Sequence, residues 1–261
     1  MIDTKQDANI IHFYQKVIDA TVVGRYTTDF ILKIFGIFYK KNHSTGMDSD
    51  SNKLVMSIQA NLFEKINRYL KGVKFTKDSV IEITFEEDHS IPIINIIEQD
   101  VSTDYLIDVF FKKISWDEIN EFRGFIIRFL QYYLINVVKK DMTEHKLKQT
   151  VSNTAYVIQE LLQNANAYST AGSDYRLKFD YKDSRFCILV ENFSDKANAE
   201  SLINIIDEIK KSDDKKSLIL RYMLADQKHL GIITSIFNFG VTEYSVVYDK
   251  GLVISNFIIK I

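Results

Sequence analysis

From residue 8 to residue 41, Ile11, Tyr14, Ile18, Val22, Tyr26, Phe30, Ile34 and Phe38 recur at three- and four-residue steps, which predicts one or two helices. Gly24 and Gly36 are candidate bends. Residues 43–52, HSTGMDSDSN, are small and polar and predict a loop. A strict four-residue stripe, Leu54, Ile58, Leu62, Ile66 and Leu70, then predicts a further helix closed by Gly72. The period changes at Val80, Ile81, Ile83 and Phe85, which mix with Glu82 and Thr84 in the alternation of a strand. A second β-prone run spans 91–97 and holds Pro92, which favours a strand start or an edge.

Ser102 is a candidate N-cap for a helix through Lys113. Ser115 with Glu118 forms a capping-box pattern for a helix to about Lys140. Thr143 opens a third helix through Tyr168, ended by Ala171-Gly172. Two alternating runs, 175–181 and 185–191, join through Lys182-Asp183-Ser184 as a hairpin. Helices over 197–211, 215–225 and 231–239 follow, and a closing hairpin, 243–249 with 252–260, turns at Lys250-Gly251. The expected fold class is α+β, with a mostly antiparallel sheet, helices on one face and a helical N-terminal region. The expected division is 1–78, for docking or dimerisation, and 79–261.

Composition narrows the function classes. Hydrophobic residues make up 46% and charged residues 26% of 261, with net charge −2, so an ordinary globular protein is expected and nucleic acid is not an expected partner. One cysteine excludes an internal disulfide, and no Cys/His cluster has zinc spacing, so a reducing cytoplasm is the expected location. The N-terminus lacks a basic start and an apolar core, so export is not expected. The runs 30–39 and 124–138 are interrupted by Lys33 and Arg128 and fall short of the roughly 20 apolar residues that span a bilayer. With Gly 9 and Pro 1, the chain has no GxxxxGK[ST] or GxGxxG loop, which excludes Walker ATPases and Rossmann enzymes.

The chemistry concentrates in Gln159-Glu160-Leu161-Leu162-Gln163-Asn164-Ala165-Asn166-Ala167-Tyr168-Ser169. Glu160 and Asn164 are four apart, so on a helix they share a face, where a carboxylate and a carboxamide can orient water and ligate Mg²⁺. An amphipathic helix with two polar surface residues explains the same spacing. His145 and His229 are candidate phospho-acceptors or phosphate ligands, with solvated histidine as the plainer reading. Cys187 reads as core packing. The Lys210-Lys211 and Lys215-Lys216 pairs flank Asp213-Asp214 and read as a solvated helix junction. Tyr132-Tyr133 and Phe110-Phe111 fit either core or interface, and the apolar surface on three successive helices predicts a homodimer.

The segment ELLQNANAYS resembles the first motif of the GHKL (Bergerat-fold) ATPases, E-L-x-x-N-A followed by a basic or hydroxyl residue. The family includes histidine kinases and anti-sigma-factor kinases. The similarity continues through the hairpin at 175–190, Glu191-Asn192-Phe193 at the position of an aspartate-and-glycine motif, the helices, Leu230-Gly231 and the closing hairpin. Within the family the chain is most similar to SiaB-like protein kinases, over 79–261. The resemblance implies a cytoplasmic signalling regulator that binds ATP and Mg²⁺ and phosphorylates or sequesters a small partner of the anti-sigma-antagonist type. It implies Glu160 as the catalytic residue that activates water or a hydroxyl, and Asn164 as the Mg²⁺ ligand. It implies Ser169, Asn192, Asp195, Lys228 and Gly231 in nucleotide binding. The segment ENFSD carries no glycine, and 226–231 keeps one glycine of a phosphate lid, with Lys228 as a substitute charge. The alternative is a nucleotide-free pseudo-kinase scaffold that acts through protein contacts.

Overall fold

The computed structural model describes residues 8–13, 79–86, 93–98, 105–111, 116–138, 141–170, 174–224 and 230–261. They belong to two compact units, one drawn from Lys5–Val109 and Gly124–Asp141, the other from Phe110–Arg123 and Met142–Ile261.

The first unit contains strands β1 (Ala8–Phe13), β2 (Ser79–Glu86) and β3 (Ile93–Glu98), antiparallel in the order β3-β2-β1. Ile11 pairs with Ile83, and Ile83 with Ile94, which fixes the register of the ladder. Next to that row, buried His12 Nε2 lies 3.0 Å from Glu82 Oε2. The predicted helix at 8–41 is therefore corrected at its start. Ile11 and Phe13 alternate as well as they step, and pairing with β2 selects the strand. The remainder of that helix, the loop at 43–52 and the helix at 54–70 lie outside the described residues.

A second correction falls within the helix predicted over 102–113, where strand β4 (Ile107–Phe111) is found; 102–104 and 112–113 lie outside the described residues. Leu106 to Val109 are all buried, Asp108 included, so the strand is covered on both faces and lacks the alternation of a half-buried one. Helix α1 (Trp116–Tyr132) begins where the capping box places it and runs into a π-helical segment, Tyr133–Val137. Phe125, Phe129 and Tyr133 stack at successive spacings of 5.8 Å along it.

In the second unit, helix α2 (Glu144–Tyr168) starts at Thr143, whose hydroxyl accepts from Lys146 N. Strands β5 (Tyr175–Lys182), β6 (Arg185–Phe193), β7 (Val241–Asp249) and β8 (Leu252–Lys260) form an antiparallel sheet in the order β5-β6-β8-β7. Between the hairpins lie α3 (Lys196–Lys211), α4 (Lys215–Leu224) and α5 (Leu230–Asn238). The strands alternate, so Leu177, Phe179, Phe186, Ile188, Val190, Val253, Phe257 and Ile259 share one buried face, and α2, α3 and α5 cover it. The fold is α+β.

Phe111 joins this core, 5.3 Å from the Phe122 ring and 5.4 Å from Tyr175. On the opposite face Lys178 Nζ and Arg176 flank Glu191, at 3.2 and 3.9 Å. Cys187 lies on that face, half-buried, and not in the core as its apolar neighbours predict, because the alternation sends Phe186 and Ile188 inward instead. Among the described residues no helix is long and apolar enough to cross a membrane.

Candidate functional site

Helix α2 sets the site. Its buried stripe, which includes Val151, Ala155, Ile158, Leu162 and Ala165, faces the core and leaves Glu160 and Asn164 at its margin, each half-buried. Asn164 Nδ2 donates to the Glu160 carbonyl at 2.9 Å, a back-bond along the helix. Their side chains serve two different places.

Asn164 lines a crevice formed with Leu161, Ala165 and Tyr168 of α2, Val190 and Asn192 of β6, Asn198, Ala199 and Leu202 of α3, Ile232 of α5, and Val253 and Ser255 of β8. Ser194 completes it. Its walls are apolar and its polar groups are uncharged. Asn192 and Ser255 are only 6% and 5% exposed, and the best bond of the Asn192 amide is a long 3.4 Å contact to the Phe193 carbonyl. The crevice holds about 20 Å³. That is room for about one water molecule.

The Glu160 carboxylate points elsewhere. The Tyr156 hydroxyl, one turn earlier, lies close enough to act on it electrostatically. Burial pushes the Glu160 pKa above the usual carboxylate value, against the opposing pull of Tyr156 and of Arg123. The Arg123 guanidinium lies 5.6 Å from the centre of the Tyr156 ring, and its Nε is buried without a hydrogen-bond partner among the described residues. Gly231, at the start of α5, packs onto the carboxylate so closely that a β-carbon there would stand 1.6 Å from Glu160 Oε2.

Other candidate residues have structural occupations. The Ser169 hydroxyl donates to the Ala165 carbonyl at the end of α2. Asp195 caps α3, accepting from Asn198 N at 2.8 Å and Asn198 Nδ2 at 2.7 Å. Lys228 and His229 lie outside the described residues. His145 is exposed in the first turn of α2. The structure thus brings Asn164 and Asn192 together, seats Glu160 on Gly231, and sets Ser169 and Asp195 at helix ends.

Sequence reasoning missed Ser255, although its signal is a polar residue on the inward register Val253, Ser255, Phe257, Ile259. Tyr156 is legible as the residue four before Glu160. Arg123 carries no local signal. Among the described residues no group of three or more His, Cys, Asp or Glu side chains is arranged to hold a metal ion.

No family model matches the chain, no curated protein matches it, and no solved structure matches it.

Proposed function

We propose that the chain is a signalling regulator with a degenerate GHKL-like module, acting as a nucleotide-free scaffold through contacts with a small partner protein. The observation that carries this reading is the crevice. Where the resemblance implies a nucleotide, α2, β6, α3, α5 and β8 leave about 20 Å³. Ligand pockets ordinarily measure several hundred cubic ångströms, so a crevice this small supports a nucleotide-free reading. The occupations of Glu160, Ser169 and Asp195 support the same reading, because each spends its polar atoms within the fold.

The second reading, a protein kinase of the GHKL type that binds ATP with Mg²⁺, is favoured by the polar lining. Asn192 and Ser255 are deeply buried, and such groups ordinarily find partners. Isothermal titration with Mg-ATP and Mg-ADP, paired with a thermal-shift scan, separates the two, because a ligand bound only by the folded state raises its apparent stability. The scaffold reading expects no saturable heat at millimolar nucleotide. Saturable binding that Asn164→Ala abolishes would establish the second reading instead.

A further inference from the structure

Helix α5 is held against α2 at both of its ends. At its start, Gly231 rests on the Glu160 carboxylate, with a would-be β-carbon 1.6 Å from Oε2, 2.4 Å from Cδ and 3.2 Å from Cγ. At its end, the Phe239 ring packs on Tyr156 with centroids 4.4 Å apart. Tyr156 and Glu160 stand one turn apart on α2 and interact electrostatically, and Arg123 lies against the tyrosine ring, so the two contacts are neighbours. Ile232, next to Gly231, and Leu161, next to Glu160, both line the crevice. The seating of Gly231 on Glu160 therefore joins two elements that line the crevice.

We infer that Glu160 and Gly231 form a latch that fixes α5 on α2 and holds the crevice shut. This deepens the proposed function, since it supplies the cause of the closure on which that reading rests. Glycine is required at the contact because any side chain would enter the carboxylate. In this arrangement Glu160 is a positioning residue. The latch opens by lifting the start of α5, which moves Ile232 away from Leu161 and exposes Asn192 and Ser255.

Hydrogen exchange followed by mass spectrometry on the full chain tests the latch without a ligand. Glu160→Ala and Gly231→Ala should each speed exchange in Leu230–Asn238 by about tenfold or more, leaving β5 to β8 at the wild-type rate, as expected for local opening. The double variant should exchange more slowly than Gly231→Ala alone, because the new methyl enters the space that the carboxylate vacates. Glu160→Gln, which keeps the shape of the side chain, should exchange no faster than the wild type. Unchanged exchange of α5 in both single variants would overturn the latch. So would an equal effect of Gly231→Ala in both backgrounds, or an acceleration spread evenly over the second unit. Nucleotide binding by the wild type would sink the scaffold reading, whereas exchange of α5 measured without ligand tests the Glu160–Gly231 contact by itself, so the two failures are distinguishable.

Discussion

The Ser194 hydroxyl donates to the carbonyl of Tyr168 at 2.7 Å, joining the end of α2 to the exit of β6 across 26 residues of chain. Two backbone bonds reinforce the joint, from Thr170 N to the Phe193 carbonyl at 2.8 Å and from Ser194 N to the Gly251 carbonyl at 2.9 Å. A helix end leaves carbonyls without intrahelical partners, and Ser194 satisfies one of them in a buried setting. Ser194→Ala should lower stability by about 1–2 kcal/mol, the cost of leaving that carbonyl unpaired. Urea unfolding should show a lower midpoint at an unchanged slope. A midpoint equal to wild type would mean that the bond contributes nothing.

Asp195 allows cap and ligand roles to be told apart. Both of its oxygens accept from Asn198, which fixes the first turn of α3. Loss of such a cap costs about 1 kcal/mol, so Asp195→Ala should destabilise by that amount, whereas Asp195→Asn should keep most of the stability. Thermal unfolding of the two variants checks the order. If both match wild type in stability, the cap assignment fails.

How far the sequence anticipated this depends on the range of each interaction. Helix α2 was legible because Thr143 supplies a local cap and its apolar residues keep one period over its whole length. Both hairpins of the second unit were legible because alternation and turn residues are neighbours in the chain. Strand β1 was not, since its partner Ile83 lies far along the chain from Ile11 and the intervening pattern cannot reveal the pairing. Residues 107–111 failed for a different reason. A strand buried on both faces loses its alternation, and Ser102 offered a local helix signal in the sequence. Within the site, the four-residue spacing placed Glu160 and Asn164 on one helix correctly. It could not show that α5 would meet one of them and β6 the other, because those contacts are set by the packed helices and sheet.

The raised pKa of Glu160 gives a pH dependence of definite sign. The folded protein retains a proton on this carboxyl at pH values where the unfolded chain has released it. Its contribution therefore favours the fold fully below the ordinary carboxylate value and is lost as pH rises through the raised one. Glu160→Gln removes the ionisation and keeps the shape of the side chain. It should be more stable than wild type at neutral pH, by less than about 1 kcal/mol because the carboxyl is partly exposed to solvent. The difference should shrink toward zero below about pH 4. Denaturant unfolding of both proteins between these limits measures it, and a gap that widens on acidification would contradict the burial argument.

The two hairpins of the second unit turn alike but are built from different residues. Lys250 and Gly251 carry φ values of 49° and 91°, and Asp183 and Ser184 carry 51° and 57°. Both pairs therefore occupy the left-handed region, which costs an ordinary L-residue roughly 1–2 kcal/mol and glycine little. The second hairpin has its glycine where the first has serine. Replacing Ser184 by glycine, together with Asp183→Asn, supplies the residues that such two-residue turns favour, and should stabilise the protein by about 1 kcal/mol. Gly251→Ala should do the opposite by a similar amount. Its β-carbon would meet only Phe193 Cδ1 at 3.9 Å, an ordinary contact, so the loss comes from the backbone and not from a clash. Thermal midpoints moving in opposite directions would bear this out, whereas two variants shifting the same way would show that the turns do not control the stability of this sheet.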